Sequence, residues 1–278
     1  EVDRTFYLIG DAGLSPEDDL SSGLNAFKKY IADKNTEDDF AIFLGDNIYP
    51  SGMPGETHPE RKNAEHQMDA QFESVKNFKG KTIFIPGNHE YYSDGIKGVK
   101  EEEKYVINAL GKNVFLPANG CPLESIDVSE TVQLIILDTQ WYLEDWNQHP
   151  TINDDCEIKT RERFLLEFEG EIKKAQGKSI VIAMHHPMFT NGIHGGFFAP
   201  RKHLYPTQGN IPIPGLSSLA AQIRTQGGIS KQDRYNELYN SLMKRLETLA
   251  SENGNLTFVS GHEHTLQYIE TEYIKQIV

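Results

Sequence analysis

Two imidazoles two residues apart, His262 and His264, follow the apolar run Leu256–Val259. Residues i and i+2 of an extended segment point to the same side, so both rings can face one pocket. Imidazole is the commonest side-chain ligand for divalent transition metals. Alone, the pair is weak evidence of a metal site. Four other fragments repeat its grammar: an apolar run, then a turn carrying Gly and ligand-type side chains. Residues 6–9 lead to Gly10-Asp11-Ala12-Gly13, and residues 41–44 to Gly45-Asp46-Asn47-Ile48-Tyr49. Residues 82–85 lead to Pro86-Gly87-Asn88-His89-Glu90, and residues 180–184 to His185-His186-Pro187. A strand followed by a Gly turn explains any one fragment, but not all of them together. Open α/β sheets bind ligands beyond the carboxyl ends of their strands. These strands would deliver their polar ends to one edge.

As ligands the residues divide into two sets. Asp11, Tyr49 and His264 offer a carboxylate, a phenolate and an imidazole; Asn88, His185 and His262 offer an amide oxygen and two imidazoles. Asp46 lies on a turn between them, and its two carboxylate oxygens can bridge both. A phenolate favours a hard trivalent ion, and the mixed N/O set suits a divalent one such as Zn, Fe or Mn.

The intervening segments must position these groups. Apolar spacing predicts helices over 22–32, 60–79, 97–110, 158–176 and 231–251, with Tyr235, Leu238, Leu242, Leu246 and Leu249 facing inward on the last. Strands are expected at 5–9, 40–44, 82–86, around Phe115, at 123–128, 131–138, 179–184 and 256–260, and in a closing hairpin at 266–271 and 273–278. The βαβαβ beginning implies a parallel sheet. Residues 187–230 form a long segment rich in Gly and Pro, and such loops are usually functional or mobile. Within it Ile211-Pro212-Ile213-Pro214-Gly215-Leu216 is either a docking patch or a loop packed back on the protein.

The bulk numbers narrow the classes. A chain of 278 residues with no break in composition reads as one α/β domain, residues 1–278. At 38% hydrophobic it is ordinary for a globular protein, and no apolar run approaches transmembrane length. A net charge of −14 argues against a nucleic-acid surface. It also means that attraction of an anionic substrate must be local, with bound cations as the natural source. The absence of an initial Met and the end on an apolar hairpin suggest a piece of a longer polypeptide continuing past Val278. Cys121 and Cys156 read as loop positions. In an exported protein they would form a disulfide, worth roughly 3–4 kcal/mol, and export to the periplasm, cell surface or medium is the expectation.

These blocks resemble those of the calcineurin-like metallophosphoesterases, and more narrowly the purple acid phosphatase branch. The likeness runs in order from residue 5 to about 270, with Gly13 and Tyr49 as the branch marks. It implies a four-layer α/β/β/α sandwich of two mixed sheets, with a dinuclear centre at the strand ends. It further implies Fe(III) held by Asp11, Asp46, Tyr49 and His264, and Fe(II), Zn or Mn held by Asp46, Asn88, His185 and His262. Activity would be acid-phosphatase-like hydrolysis of phosphomonoesters, hydroxide attacking phosphorus in line. The same motifs also serve phosphodiesterases and pyrophosphatases acting on nucleotides or lipid head groups, and a third reading is an accessory domain of an envelope protein. Tyr49-Pro50-Ser51-Gly52 lacks the Asp-Arg-Gly of the protein phosphatase branch.

Leaving-group protonation falls to the remaining histidines. His89, beside Asn88, matches the family's histidine outside the metal shell, and His194 resembles a second substrate-side histidine, the plain alternative being a surface loop. Asn88, His89 and His194 would contact substrate. His186 reads as supporting the ligands or as structural, and His58, His66, His149 and His203 as surface residues.

Overall fold

The computed structural model describes residues 4–17, 19–205, 212–213, 215–216, 218–219, 223–224, 227–254 and 256–278. Strands β1 (Phe6–Ile9), β2 (Phe40–Phe43) and β3 (Lys81–Phe84) form a wholly parallel sheet in the order β1-β2-β3. Helices α1 (Ser22–Ile31) and α2 (Arg61–Val75) are its crossovers. Two further helices, α3 (Asn88–Tyr91) and α4 (Ile96–Leu110), follow β3. Phe115 makes only an isolated parallel bridge to Phe84, where a strand was expected.

The second sheet holds β4 (Leu123–Asp127), β5 (Val132–Leu137), β6 (Ser179–Met184), β7 (Leu256–Val259), β8 (Tyr268–Glu270) and β9 (Ile274–Ile277). Their order is β4-β5-β6-β7-β9-β8, parallel from β5 to β9 with an antiparallel strand at each edge. This sheet is the mixed one. Helices α5 (Thr139–Leu143), α6 (Arg161–Lys174), α7 (Pro200–Leu204) and α8 (Glu237–Asn253) accompany it.

Side-chain alternation builds the layers. Phe40, Ile42 and Ile83 of the first sheet meet Leu134, Ile136, Ala183 and Val259 of the second in one buried cluster. The alternate residues Ala41, Phe43, Phe84, Ile135, Ile182 and Phe258 join the helix residues Leu24, Met68, Phe164, Phe168, Leu242 and Leu246 in another. Strands buried on both faces read as unbroken apolar runs, as these do.

Caps fix the helix starts: Ser21 accepts the Leu24 N–H, Thr160 that of Arg163, and Asn236 those of Leu238 and Tyr239. The Asn236 cap corrects the expected start of α8 at 231. Tyr235 precedes the helix and is 55% exposed rather than turned inward. The Cys121–Cys156 disulfide forms, with a Cα–Cα distance of 5.4 Å, but Cys156 is buried, not a loop-surface position. Of the 211–216 patch, Ile213 and Leu216 are exposed, whereas Ile211 and Pro214 lie outside the described residues. Among the described residues no helix is long and apolar enough to cross a membrane.

Candidate metal centre

The first two blocks lock together as the strands end. Asp11 N donates to Gly45 O at 3.2 Å, Gly13 N to Asp46 O at 3.1 Å, and Tyr49 N to Gly13 O at 3.1 Å. A Cβ on Gly13 would lie 2.5 Å from the Asn47 carbonyl carbon and the Ile48 nitrogen, so no side chain fits there. Tyr49 instead reaches over from the neighbouring loop. Asp11, Asp46 and His262 adopt positive φ of 53°, 53° and 70°, a conformation uncommon outside Gly and typical of functional turns.

All the expected ligands converge. The Tyr49 hydroxyl lies 3.2 Å from Asp11 Oδ1, 3.1 Å from Asp46 Oδ2 and 3.1 Å from His264 Nε2. Asn88 Oδ1 lies 3.0 Å from both His185 Nε2 and His262 Nδ1, and these nitrogens are 3.3 Å apart. His185 Nε2 is also 3.3 Å from Asp46 Oδ1. Asp46 therefore turns one oxygen to each set. Ligand atoms of Asp46, His185 and His262 all lie within 4.8 Å of one another, and all three residues are buried.

The donor chemistry fits a cation. His185 Nδ1 faces the Leu44 carbonyl at 2.8 Å and His262 Nε2 the Gln232 carbonyl at 2.9 Å. Carbonyls only accept, so those nitrogens carry hydrogen, and it is the opposite nitrogens that face each other and would offer lone pairs to an ion. Asn88 spends its amide nitrogen on the Tyr92 hydroxyl at 2.8 Å, so its oxygen also faces inward. Without an ion the cluster holds a proton on His185 Nε2 between Asp46 and Asn88 Oδ1, and a metal ion would take that proton's place among the three donor atoms. Electrostatics point the same way. Burial alone would lower the His185 pKa, but Asp46 and Asp11 overcome it and push it up to about 9. Burial works against the Asp46 charge too, and His185 and His89 more than offset it, holding that carboxyl below the usual range. Burial and the two carboxylates raise Tyr49 far above an ordinary phenol, so its phenolate needs a cation to form.

The wall around the cluster uses residues to which the motifs gave no role. Glu90, fully buried, accepts four backbone N–H groups: Asp46 at 2.9 Å, Asn47 at 2.9 Å, Ile48 at 3.2 Å and Gly87 at 2.6 Å. It pins the second and third blocks to each other. Burial and the nearby Asp46 charge push its pKa up to about 8 against those donors. Glu263, between the paired histidines, accepts His194 N–H at 2.9 Å. Position beside the ligands was the only signal for either.

His89 holds its ring between Tyr49 and Tyr92, at centroid distances of 4.4 and 4.8 Å. Its Nδ1 donates to the Pro50 carbonyl at 2.6 Å, and its Nε2 lies 3.8 Å from Asp46 Oδ2. His194 is brought to the site as well, its ring 4.0 Å from that of His262. Asp233 accepts from His194 Nδ1 at 2.9 Å and from Arg224 through two bonds of 2.9 Å. Burial would raise the Asp233 pKa, and these two donors hold it below the usual range. Sequence reasoning missed Asp233 because the whole 231–251 stretch was read as helix.

His186 is fully buried between Thr139 Oγ1 and Gln232 Oε1, each at 2.7 Å, so its role is to brace the ligand strand. Burial and His185 push its pKa down to about 3. His58 is exposed, as expected. His66 and His149 are partly exposed, as surface residues are, with His66 Nε2 2.7 Å from Pro16 O and His149 Nε2 3.4 Å from Glu144. The His203 side chain lies outside the described residues.

Comparison with known proteins gives this geometry its context. No curated protein matches the chain significantly. Among solved structures, "GAP50 the anchor in the inner membrane complex of Plasmodium" aligns with a TM-score of 0.54 and 16% identity, over 98% of this chain and 70% of that one. "Structure of PhoD" aligns with a TM-score of 0.55 and 13% identity, over 98% of this chain and 55% of that one. This chain therefore spans little more than half of PhoD, and likenesses so distant in sequence show the fold alone. The family model described as calcineurin-like phosphoesterase matches residues 4–266, nearly the whole chain and every block above. The chain belongs to the calcineurin-like phosphoesterase family.

Proposed function

We propose that this protein is a metal-dependent hydrolase of phosphate monoesters, of the purple acid phosphatase type, acting as one catalytic unit. The observation that carries the reading is the shared carboxylate of Asp46, with one oxygen toward Tyr49 and the other toward His185. Asp11, Asp46, Tyr49 and His264 would hold Fe(III), and Asp46, Asn88, His185 and His262 would hold Fe(II), Zn or Mn. Such a pair supplies Lewis acidity, neutralising phosphoryl charge and making water a competent nucleophile near neutral pH.

The protein's own groups do the rest. Asn88, His89 and His194 line the approach to the ligand cluster and bind the phosphoryl oxygens. Nδ1 of His89 is committed to Pro50 O and Nδ1 of His194 to Asp233, so each ring presents Nε2 to substrate. Either imidazolium can deliver a proton to the departing alkoxide. Asp233 orients His194 by accepting from its Nδ1, as a carboxylate behind an imidazole does.

The test is a visible absorption spectrum with metal analysis and phosphomonoester hydrolysis. Two metals per chain and a charge-transfer band lost in Tyr49→Phe are expected. A colourless protein holding Zn or Mn with full activity retires the iron–tyrosinate assignment, and failure to hold any metal retires the enzyme.

A second reading, an accessory domain of a larger exported envelope protein, draws on the likeness to GAP50, an anchor in the inner membrane complex of Plasmodium. It also draws on the exposed apolar side chains Phe197, Leu204, Leu216 and Leu219 in the long loop region. Metal-free protein that still captures an envelope partner would favour it.

A further inference from the structure

Asn47 lies between Asp46 and Tyr49 in the second block and is wholly buried, as is Glu102 of α4 beside it. Three polar atoms of Asn47 are satisfied. Its N–H donates to Glu90 Oε1 at 2.9 Å, and its carbonyl accepts from Gln71 Nε2 at 2.7 Å. Its side-chain nitrogen donates to Ile85 O and to Glu102 Oε1, each at 3.0 Å. A carbonyl only accepts, so the Ile85 contact fixes which end of the amide is the nitrogen. Both amide hydrogens are then used. One orphan remains on each partner: Asn47 Oδ1 and Glu102 Oε2 are buried acceptors with no hydrogen-bond donor. Buried polar groups are seldom left so, and two acceptors on two joined groups call for one more hydrogen. Among the described residues Glu102 makes no ion pair.

We propose that Glu102 is a positioning residue for the metal centre, a neutral carboxylic acid whose Oε2–H donates to Asn47 Oδ1. Acid and amide then form a ring of two hydrogen bonds, and every polar atom of Asn47 is held. Asn47 sits in the turn that carries Asp46 and Tyr49, so the ring fixes that turn against α4 and the end of β3. The inference rests on Asp46 and Tyr49 as ligands, and on no particular ester. The surroundings suit a neutral acid. Burial, then the charges of Glu90 and Asp46, push the Glu102 pKa well above the usual carboxylate range, and the bond from Asn47 only partly offsets them. Glu90 differs in its partners: four N–H groups point at it, whereas Glu102 receives one.

Glu102→Gln keeps one acceptor and replaces the donating O–H by N–H, so it should reproduce the ring, whereas Glu102→Leu removes both bonds. In the metal-loaded protein Glu102→Leu is expected to lower metal affinity at least about tenfold, and Glu102→Gln to restore it. Should Glu102→Leu fail to fold, the pH dependence of Glu102→Gln decides. A carboxyl with a raised folded pKa stabilises fully below its unfolded value, and that contribution fades as pH rises toward the folded one. Relative to Glu102→Gln, the unfolding constant of the parent should therefore grow about tenfold per pH unit above about 4.3, until folded Glu102 ionises. Infrared difference spectra at pH 7 should show a protonated-carboxyl band in the parent that Glu102→Gln lacks. These readouts need no turnover, so a protein that hydrolyses nothing still tests Glu102. Metal loss in Glu102→Gln matching that in Glu102→Leu, a pH-independent stability difference, or no such band overturns the inference. Full metal affinity in Glu102→Leu overturns the positioning role.

Discussion

Replacing Glu90 by Gln keeps the shape of the side chain and removes what its position requires. The carboxylate gathers N–H donors from Gly87, Asp46, Asn47 and Ile48. A glutamine offers one acceptor oxygen, which can serve two of them, and turns an NH2 group toward the others. Above pH 8, where Glu90 is charged, hydrogen bonds to it are worth about 1.5–3 kcal/mol each, so losing two costs about 3–6 kcal/mol, and the assay is run there. For a protein of this length that is a fall in Tm of about 6–20 °C. Thermal unfolding of Glu90→Gln, with metal content measured on the same sample, is the assay. Metal occupancy should fall as well, because the released turn carries Asp46 and its neighbour carries Asn88. A Tm within about 2 °C of the parent together with full metal content would refute this account of Glu90.

Gly13→Ala should be destabilising by at least about 1–3 kcal/mol, because its Cβ would meet backbone atoms of residues 47 and 48 at 2.5 Å. Gly55→Ala, with open space around its Cβ, is the matched control in the same melting experiment. Asp138, fully buried, accepts from the Tyr91 hydroxyl at 2.6 Å, and burial pushes its pKa up from 3.8 to about 7. Its stabilising contribution is therefore full below pH ~4 and is lost as pH rises through about 7, at most about 4 kcal/mol. Asp138→Asn should flatten the stability curve between those pH values in denaturant titrations, and an unchanged slope counts against the assignment. Breaking the Cys121–Cys156 bridge, which closes a loop of sequence separation 35, should cost about 4 kcal/mol on the chain-entropy estimate. Unfolding with and without reductant measures it.

The strands, the long helices and the convergence of the candidate ligands were legible because each obeys a strong local rule. Parallel strands read as unbroken apolar runs, and the groups at their ends share an edge by topology. The short helices α3 and α5 were invisible, since four or five residues carry no helical period. The residues that brace the site were invisible for a different reason. Gln232 and Asp233 come from a polar turn more than 40 positions after the strand that delivers His185, and their partners are chosen by tertiary packing. Glu90 and Glu263 lay inside the quoted motifs, yet nothing in a sequence distinguishes a carboxylate facing inward to backbone N–H groups from one facing a metal. Gly13 was read as a mark of kinship, and its physical reason, absence of room, needed the neighbouring loop.

The ligand cluster joins chain positions far apart: His262 N–H binds Asp11 across 251 residues, and Tyr49 meets His264 across 215. Asp11, Asp46, Tyr49 and Asn88 follow the first sheet, whereas His185, His262 and His264 follow the second. The site is thus a clasp closed late in folding, since contacts of such long range wait on the assembly of both sheets. Captured ions would act as rivets between the two sheets, so their departure is coupled to a parting of the sheet edges. Slow metal exchange and protection from unfolding would then share one cause, the path the chain takes to bring its two ends of the site together.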